Sequence, residues 1–202
     1  MSRDRPGGGA SLGPEDWVDA ALAALVEGGI GAVRIDPLAR RLGVSRGSFY
    51  WHFADREALL KALVAAWDAR NTRPFLAVLD APGTAPLAAI LRYFEIWRQQ
   101  RDFDPGLDSA LRDWARTAPE VAEAVRSADA RRMAVLETLF LRLGYEPTEA
   151  LVRARASYYH QVGYYALGIR QSAEERRTLL PVYFRVLTGC PMPPMPEDPD
   201  GA

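Results

Sequence analysis

A chain of 202 residues with 49% apolar content is long enough for one domain or two small ones, each with a real core. A net charge of −1 argues against capture of a polyanion by bulk charge, and a single cysteine, Cys190, excludes an internal disulfide framework and a cysteine-based zinc cluster. No apolar run reaches the roughly 18 residues that span a bilayer. The N-terminal stretch MSRDRPGGGASLGP has no apolar segment behind its basic residues, so no signal peptide is read there and the expected location is the cytoplasm.

Residues 1–13, rich in Gly, Arg and Asp, are expected to be a disordered tail. A first helix starts at Pro14, with Glu15 and Asp16 in its first turn, and presents Trp17, Ala21 and Leu25 on one face until Gly28-Gly29 ends it. Asp36 before Pro37 suits an N-cap for a short second helix that runs to Leu42 and stops at Gly43. Ser45 caps a third helix to about Trp51, and Asp55 caps a fourth with Leu59, Leu60 and Leu63 on its buried side. Breaks fall at 71–74 and 81–86. Further helices fit 86–101, 106–116, 119–143, 147–170 and 174–188, and five prolines in the last fourteen residues rule out helix there. No segment alternates with period two over a strand's length. The expected fold is all-α with about nine helices. An N-terminal three-helix unit spans 14–61, a C-terminal helical bundle spans 62–188, and 189–202 form a Pro-rich disordered tail.

Residues 31–61 carry a helix-turn-helix pattern. Leu38, Ala39 and Leu42 anchor the first of its helices, Gly43 supplies the reversal and Val44 buries the turn. Ser45 opens the second helix with its amides outward, Gly47 lets a duplex approach the backbone, and Phe49 packs inward. Arg46, Ser48 and Tyr50 then face DNA. Trp51 and His52 add amphipathic tips, and Arg56 and Lys61 are placed to hold backbone phosphates. The local charge over 31–61 is +3, against −1 for the whole chain. A generic three-helix bundle with a glycine turn fits the same spacing. The run Tyr50-Trp51-His52, which a short polar helix has little structural need for, favours DNA.

This run resembles the TetR family of bacterial transcriptional repressors in Leu38-Ala39, Leu42-Gly43-Val44-Ser45, Gly47-Ser48-Phe49-Tyr50-Trp51-His52-Phe53 and Arg56-Glu57-Ala58-Leu59-Leu60. The resemblance covers about 45 residues, from near Trp17 to near Lys61. It implies a homodimer whose three N-terminal helices bind a palindromic double-stranded operator, while the rest binds a small-molecule effector that releases it. It carries groove and phosphate contacts onto Arg46, Ser48, Tyr50, Trp51, His52 and Arg56. Where the family often has a phosphate-binding threonine, this chain has Val33-Arg34-Ile35-Asp36-Pro37, so Arg34 is the expected substitute and Asp36 must be engaged as the cap. A module of the same fold that senses a ligand or protein without operator binding is the alternative that Asp36 and the near-neutral charge leave open.

Pairing and sensing are then expected of the bundle. The last two helices carry apolar stripes with Tyr158, Val162, Tyr165 and Ile169 on one and Leu179, Tyr183 and Val186 on the other, suited to a four-helix interface between two chains, or alternatively to intrachain core. An effector pocket is expected among Trp67, Tyr93, Trp97, Trp114, Met133, Phe140 and Tyr159, with Glu137 and His160 as polar anchors; aromatic stripes at this spacing also fit plain core. Ser157 with His160 offers a nucleophile pair, but no Gly-x-Ser-x-Gly turn is present and two histidines with one tail cysteine make no usual zinc site. Neither catalysis, a cofactor nor a metal is expected.

Overall fold

The computed structural model describes residues 12–81 and 83–194, and among them it is helical throughout, with no strand. This is the all-α architecture read from the periodicity. The tails expected at 1–13 and 189–202 lie outside the described residues except for 12–13 and 189–194. The chain divides into two units, Met1–Ala66 and Trp67–Ala202.

In the first unit, α1 (Pro14–Gly28) begins with the Gly13 amide donating to the Asp16 carboxylate at 2.7 Å and buries Trp17, Ala21 and Leu25. A short 3-10 turn (Ile30–Ala32) leads to α2 (Ile35–Leu42). Asp36 is not the cap of α2. The Leu38 amide already bonds the carbonyl of Arg34 at 3.1 Å, so the extended Arg34 holds the cap position and Asp36 sits in the first turn. Pro37 fits one residue later because the first turn's amides have no helical partner to lose. Gly43 ends α2 in the left-handed region, at φ 69° and ψ 26°. Its amide bonds Arg40 O and the Val44 amide reaches back to Ala39 O at 3.0 Å, which closes the turn twice.

The third helix, α3 (Arg46–Phe49), has Ser45 at its cap position, but the serine side chain makes no cap hydrogen bond. The helix is also shorter than expected. Beyond Phe49 the amides of Tyr50, Trp51 and His52 bond three residues back, so the rod tightens into 3-10-type turns. Asp55 does cap α4 (Arg56–Asn71), accepting the Ala58 amide at 2.8 Å. Phe49 is the keystone, set edge-on to Trp17 (centroids 5.2 Å apart) and stacked with Phe53 (5.5 Å), in a unit that also buries Leu38, Leu59 and Leu63.

In the second unit, the break expected at 71–74 contains a short helix, α5 (Arg73–Leu76), with Pro74 in its first turn, and a 3-10 turn (Ala77–Asp80). Then follow α6 (Pro86–Gln99), α7 (Pro105–Ala115), α8 (Pro119–Arg142), α9 (Pro147–Ala166) and α10 (Ala173–Thr188). Asp104 caps α7 and Ser172 with Glu175 forms a reciprocal capping box on α10. The helix expected to reach 170 stops at Ala166 because Gly168 turns left-handed, at φ 62°. A core of Phe75, Tyr93, Trp97, Phe140, Tyr158 and Phe184, among others, joins α5, α6, α8, α9 and α10.

Inside this unit lies an ionic network. Arg132 of α8, 1% exposed, donates to Asp108 of α7 at 3.0 Å and to the Thr72 hydroxyl at 3.0 Å. Its guanidinium also lies over the ring of Trp67, 5.4 Å from the centroid. Trp67 Nε1 donates to the same Asp108, Arg112 bridges Asp108 to Asp129, and the Tyr158 hydroxyl donates to Asp129 at 2.7 Å. Burial opposes the charge on Asp108, but Arg132 and Arg112 overcome it and hold its carboxyl below the ordinary range.

Candidate nucleic-acid interface and effector cavity

The tight turn at Gly43 and the anchoring of Phe49 leave the other side of the α3 rod free. Trp51 is 88% exposed and Tyr50 half exposed, although both are large aromatics. Arg46 is exposed, with one guanidinium nitrogen 3.2 Å from the Tyr50 hydroxyl and another 3.4 Å from Asp36. Exposed pairs of this kind are weak and screened by solvent, so Arg46 is oriented but can be recruited. Asp36 is thus engaged by Arg46 instead of by the backbone. Ser45 and Gly47 are exposed, while Ser48 and His52 are half-buried. A side chain added at Gly47 would meet nothing nearer than Ser45 Oγ at 3.6 Å, so no packing inside the unit demands glycine there.

Arg34, Arg40, Arg46 and Arg56 converge on one shallow cleft of about 310 Å³, with Asp36 as its acid. Four guanidiniums against one carboxylate make a surface suited to phosphate. Arg56 is not a free cation in it. Its Nε donates to Val33 O at 2.7 Å and one Nη to Ile30 O at 3.2 Å, tying the loop before α2 to the start of α4. Lys61 is exposed on α4, and Arg41, outside the cleft, pairs with Glu27 at 2.7 Å.

The second unit holds a cavity of about 90 Å³ between α6, α9 and α10. Of the residues expected to sense an effector, Trp97 and His160 line it. The others do not. Trp67, Tyr93 and Phe140 are wholly enclosed by their neighbours, and Trp67 and Tyr93 bond the ionic network and the Arg132 carbonyl instead. Trp114 is buried, Met133 packs against the core, Glu137 is half-buried outside the lining, and Tyr159 points outward. The lining residues missed lie on all three helices; on α9, Ser157, Gln161 and Tyr164 stand with His160 at i, i+3, i+4 and i+7 spacing, a polar stripe that periodicity could have revealed. Burial lowers the His160 pKa, which keeps its imidazole neutral at pH 7. Burial also pushes the Tyr165 phenol up to about 12, and its hydroxyl donates to Trp97 O at 3.1 Å.

The residues proposed for pairing separate in the same way. Tyr158 is core and its hydroxyl belongs to the ionic network, so it presents no outward surface. Val162 and Tyr165 are partly buried against the core, and Leu179 is a cavity wall. Ile169, Tyr183 and Val186 are exposed, as are Leu167 and Val182; Val186 is 68% exposed. Among the described residues no group of three His, Cys, Asp or Glu could hold a metal ion, and no helix is long and apolar enough to cross a membrane.

Residues 18–63 match the family model of bacterial regulatory proteins of the tetR family. The chain is similar to the class A tetracycline repressor protein from transposon 1721 of Escherichia coli, 43% identical over 60 residues, which is 30% of this chain and 28% of that protein. It is also similar to the HTH-type transcriptional regulator SrpR of Pseudomonas putida, 41% identical over 49 residues, covering 24% of this chain and 23% of that protein. The chain thus spans about a quarter of the length of these curated relatives. The fold extends further: a transcriptional regulator of the TetR/AcrR family from Thermobifida fusca superposes with a TM-score of 0.62 at 18% identity, over 87% of this chain and 96% of that one. The chain thus carries a helix-turn-helix segment that matches the tetR family model, within an all-helical fold like that of a solved TetR/AcrR-family regulator.

Proposed function

We propose that the chain is a ligand-controlled transcriptional regulator, acting as a repressor in the cytoplasm. It binds a palindromic operator as a homodimer through 14–61 and is released when 62–188 takes up a small effector. The observation that carries this reading is the exposed Arg46-Tyr50-Trp51 face, on a rod whose opposite side is locked by Phe49. Arg46, Ser48 and Tyr50 read the groove, with Trp51 and His52 at its edge. Arg34 and Lys61 hold phosphates, Ser45 and Gly47 allow close approach, and Arg56 shapes the loop beside them.

The exposed apolar side chains of α10 and the end of α9 support pairing through Ile169, Tyr183 and Val186 with Leu167 and Val182. In such a dimer the two rods enter major grooves ~34 Å apart. The effector shifts the balance toward a pair whose spacing no longer fits, which takes ~5.5 kcal/mol of differential affinity for near-complete reversal.

Fluorescence anisotropy with the DNA upstream of the chain's own gene, over a salt series, tests this. Specific binding should fall steeply with salt as several phosphate contacts are lost. The Asp36–Arg46 pair favours one alternative, a sensing module in which that contact keeps Arg46 from DNA. Absence of any specific, salt-sensitive binding would sustain the module and end the regulator.

A further inference from the structure

The cavity between α6, α9 and α10 has a composition that selects its ligand. We propose that it takes a single-ring aryl monocarboxylate, with the ring among its aromatic walls and the carboxylate at Arg176. This rests on the reading of the second unit as effector-binding, and it names the class of effector.

Three observations converge. The first is a buried donor: the Ser157 hydroxyl is 1% exposed, has no hydrogen-bond partner among the described residues and stands in the cavity lining. A buried hydroxyl without a partner is costly to keep unless something supplies one. His160, kept neutral by burial and set 4.7 Å from the Tyr183 ring, adds one donor and one acceptor beside it without adding charge.

The second is charge. Among the described residues that line the cavity there are two guanidiniums, Arg98 and Arg176, and no carboxylate. Glu95 anchors Arg98 through Nε at 2.7 Å and so offsets it. Arg176 is half-buried, with no carboxylate partner among the described residues. The balance favours an anionic group over a cationic one.

The third is size and wall chemistry. Phe94, Trp97, Tyr164 and Tyr183 present ring faces and edges. The volume of about 90 Å³, against ~150 Å³ for an apolar cavity known to hold benzene, limits the ligand to one ring that extends partly into the open mouth. Fused multi-ring ligands are too large.

Isothermal titration calorimetry of the full chain without DNA tests the proposal with benzoate, phenylacetate, benzamide and benzylamine. Both carboxylates should bind once per chain, benzamide about tenfold more weakly, and benzylamine not at all. Arg176→Gln should weaken benzoate about tenfold while leaving benzamide unchanged. Ser157→Val, which adds methyl groups to the cavity wall, should abolish binding of both carboxylates and of benzamide without lowering the thermal midpoint. Benzylamine binding as well as benzoate, no carboxylate binding up to millimolar concentration, or benzoate affinity indifferent to Arg176→Gln would each overturn the assignment. Because no DNA is present, carboxylate binding by a chain that ignores its operator would leave this inference standing and remove only the regulatory reading.

Discussion

Arg132 and Asp108 show how a single residue's role turns on its surroundings. Each is a charge inside an apolar bundle, and each is held there by the other. Removing one partner of such a pair strands the other and costs about 3–5 kcal/mol, whereas replacing both with apolar groups of similar volume is often near neutral. Arg132→Met and Asp108→Leu should therefore each lower the denaturation midpoint strongly. The double variant should recover more than half of the loss, in urea unfolding followed by circular dichroism. Additive losses would show that the charges are held by their other partners, Thr72, Trp67 and Arg112. A parallel distinction separates two arginines of the first unit. Arg46→Ala should leave the unfolding midpoint essentially unchanged, as for exposed sites, and reduce discrimination between operator and altered half-sites. Arg56→Ala removes hydrogen bonds from a charged group to Val33 O and Ile30 O and should destabilise the unit by about 1.5–3 kcal/mol. Equal effects of the two on stability would cancel that division of roles.

At the scale of elements, the turn between α2 and α3 decides where the rod points. Gly43 has space around it, with nothing within 4 Å of an added Cβ, so the cost of a side chain there is purely that of left-handed backbone. Gly43→Ala should cost about 1–2 kcal/mol by urea unfolding, with no change in the m-value. A much smaller loss would mean that the turn relaxes into another conformation. The glycine stops and several prolines were legible because they act through their own backbone angles: Gly43, Gly29 and Pro14 sit at helix ends whatever lies around them. Side-chain capping was less legible. Asp36 and Ser45 have the right chemistry, yet Arg34's extended backbone takes the first cap and Ser45 Oγ accepts no amide. The pattern after Phe49 predicts continued helix, but the stacking of Phe53 on Phe49 accompanies a tighter turn that brings the chain round to Asp55.

For the molecule as a whole, the ionic network makes stability depend on acid. Asp108 has its carboxyl held below the ordinary range, so its contribution is fully present above the unfolded value of about 3.9 and is lost as pH falls through the lower folded value. The unfolding midpoint should drop as pH falls below about 4, and Asp108→Asn, already weaker at pH 7, should show a shallower decline over the same range. An identical slope in both would assign the acid sensitivity elsewhere. Composition and periodicity determined the helical class, the order of the helices and the helix-turn-helix, since these follow from backbone preferences and local spacing. Which aromatic is core and which is wall was decided only by tertiary structure. Trp67, Tyr93 and Phe140 share with Trp97 the same residue chemistry and similar helical spacing, but burial depends on what the neighbouring helix brings to each face. Only the assembled bundle sets Arg132 against Trp67, leaves Ser157 without a partner, and turns Ile169 and Val186 outward.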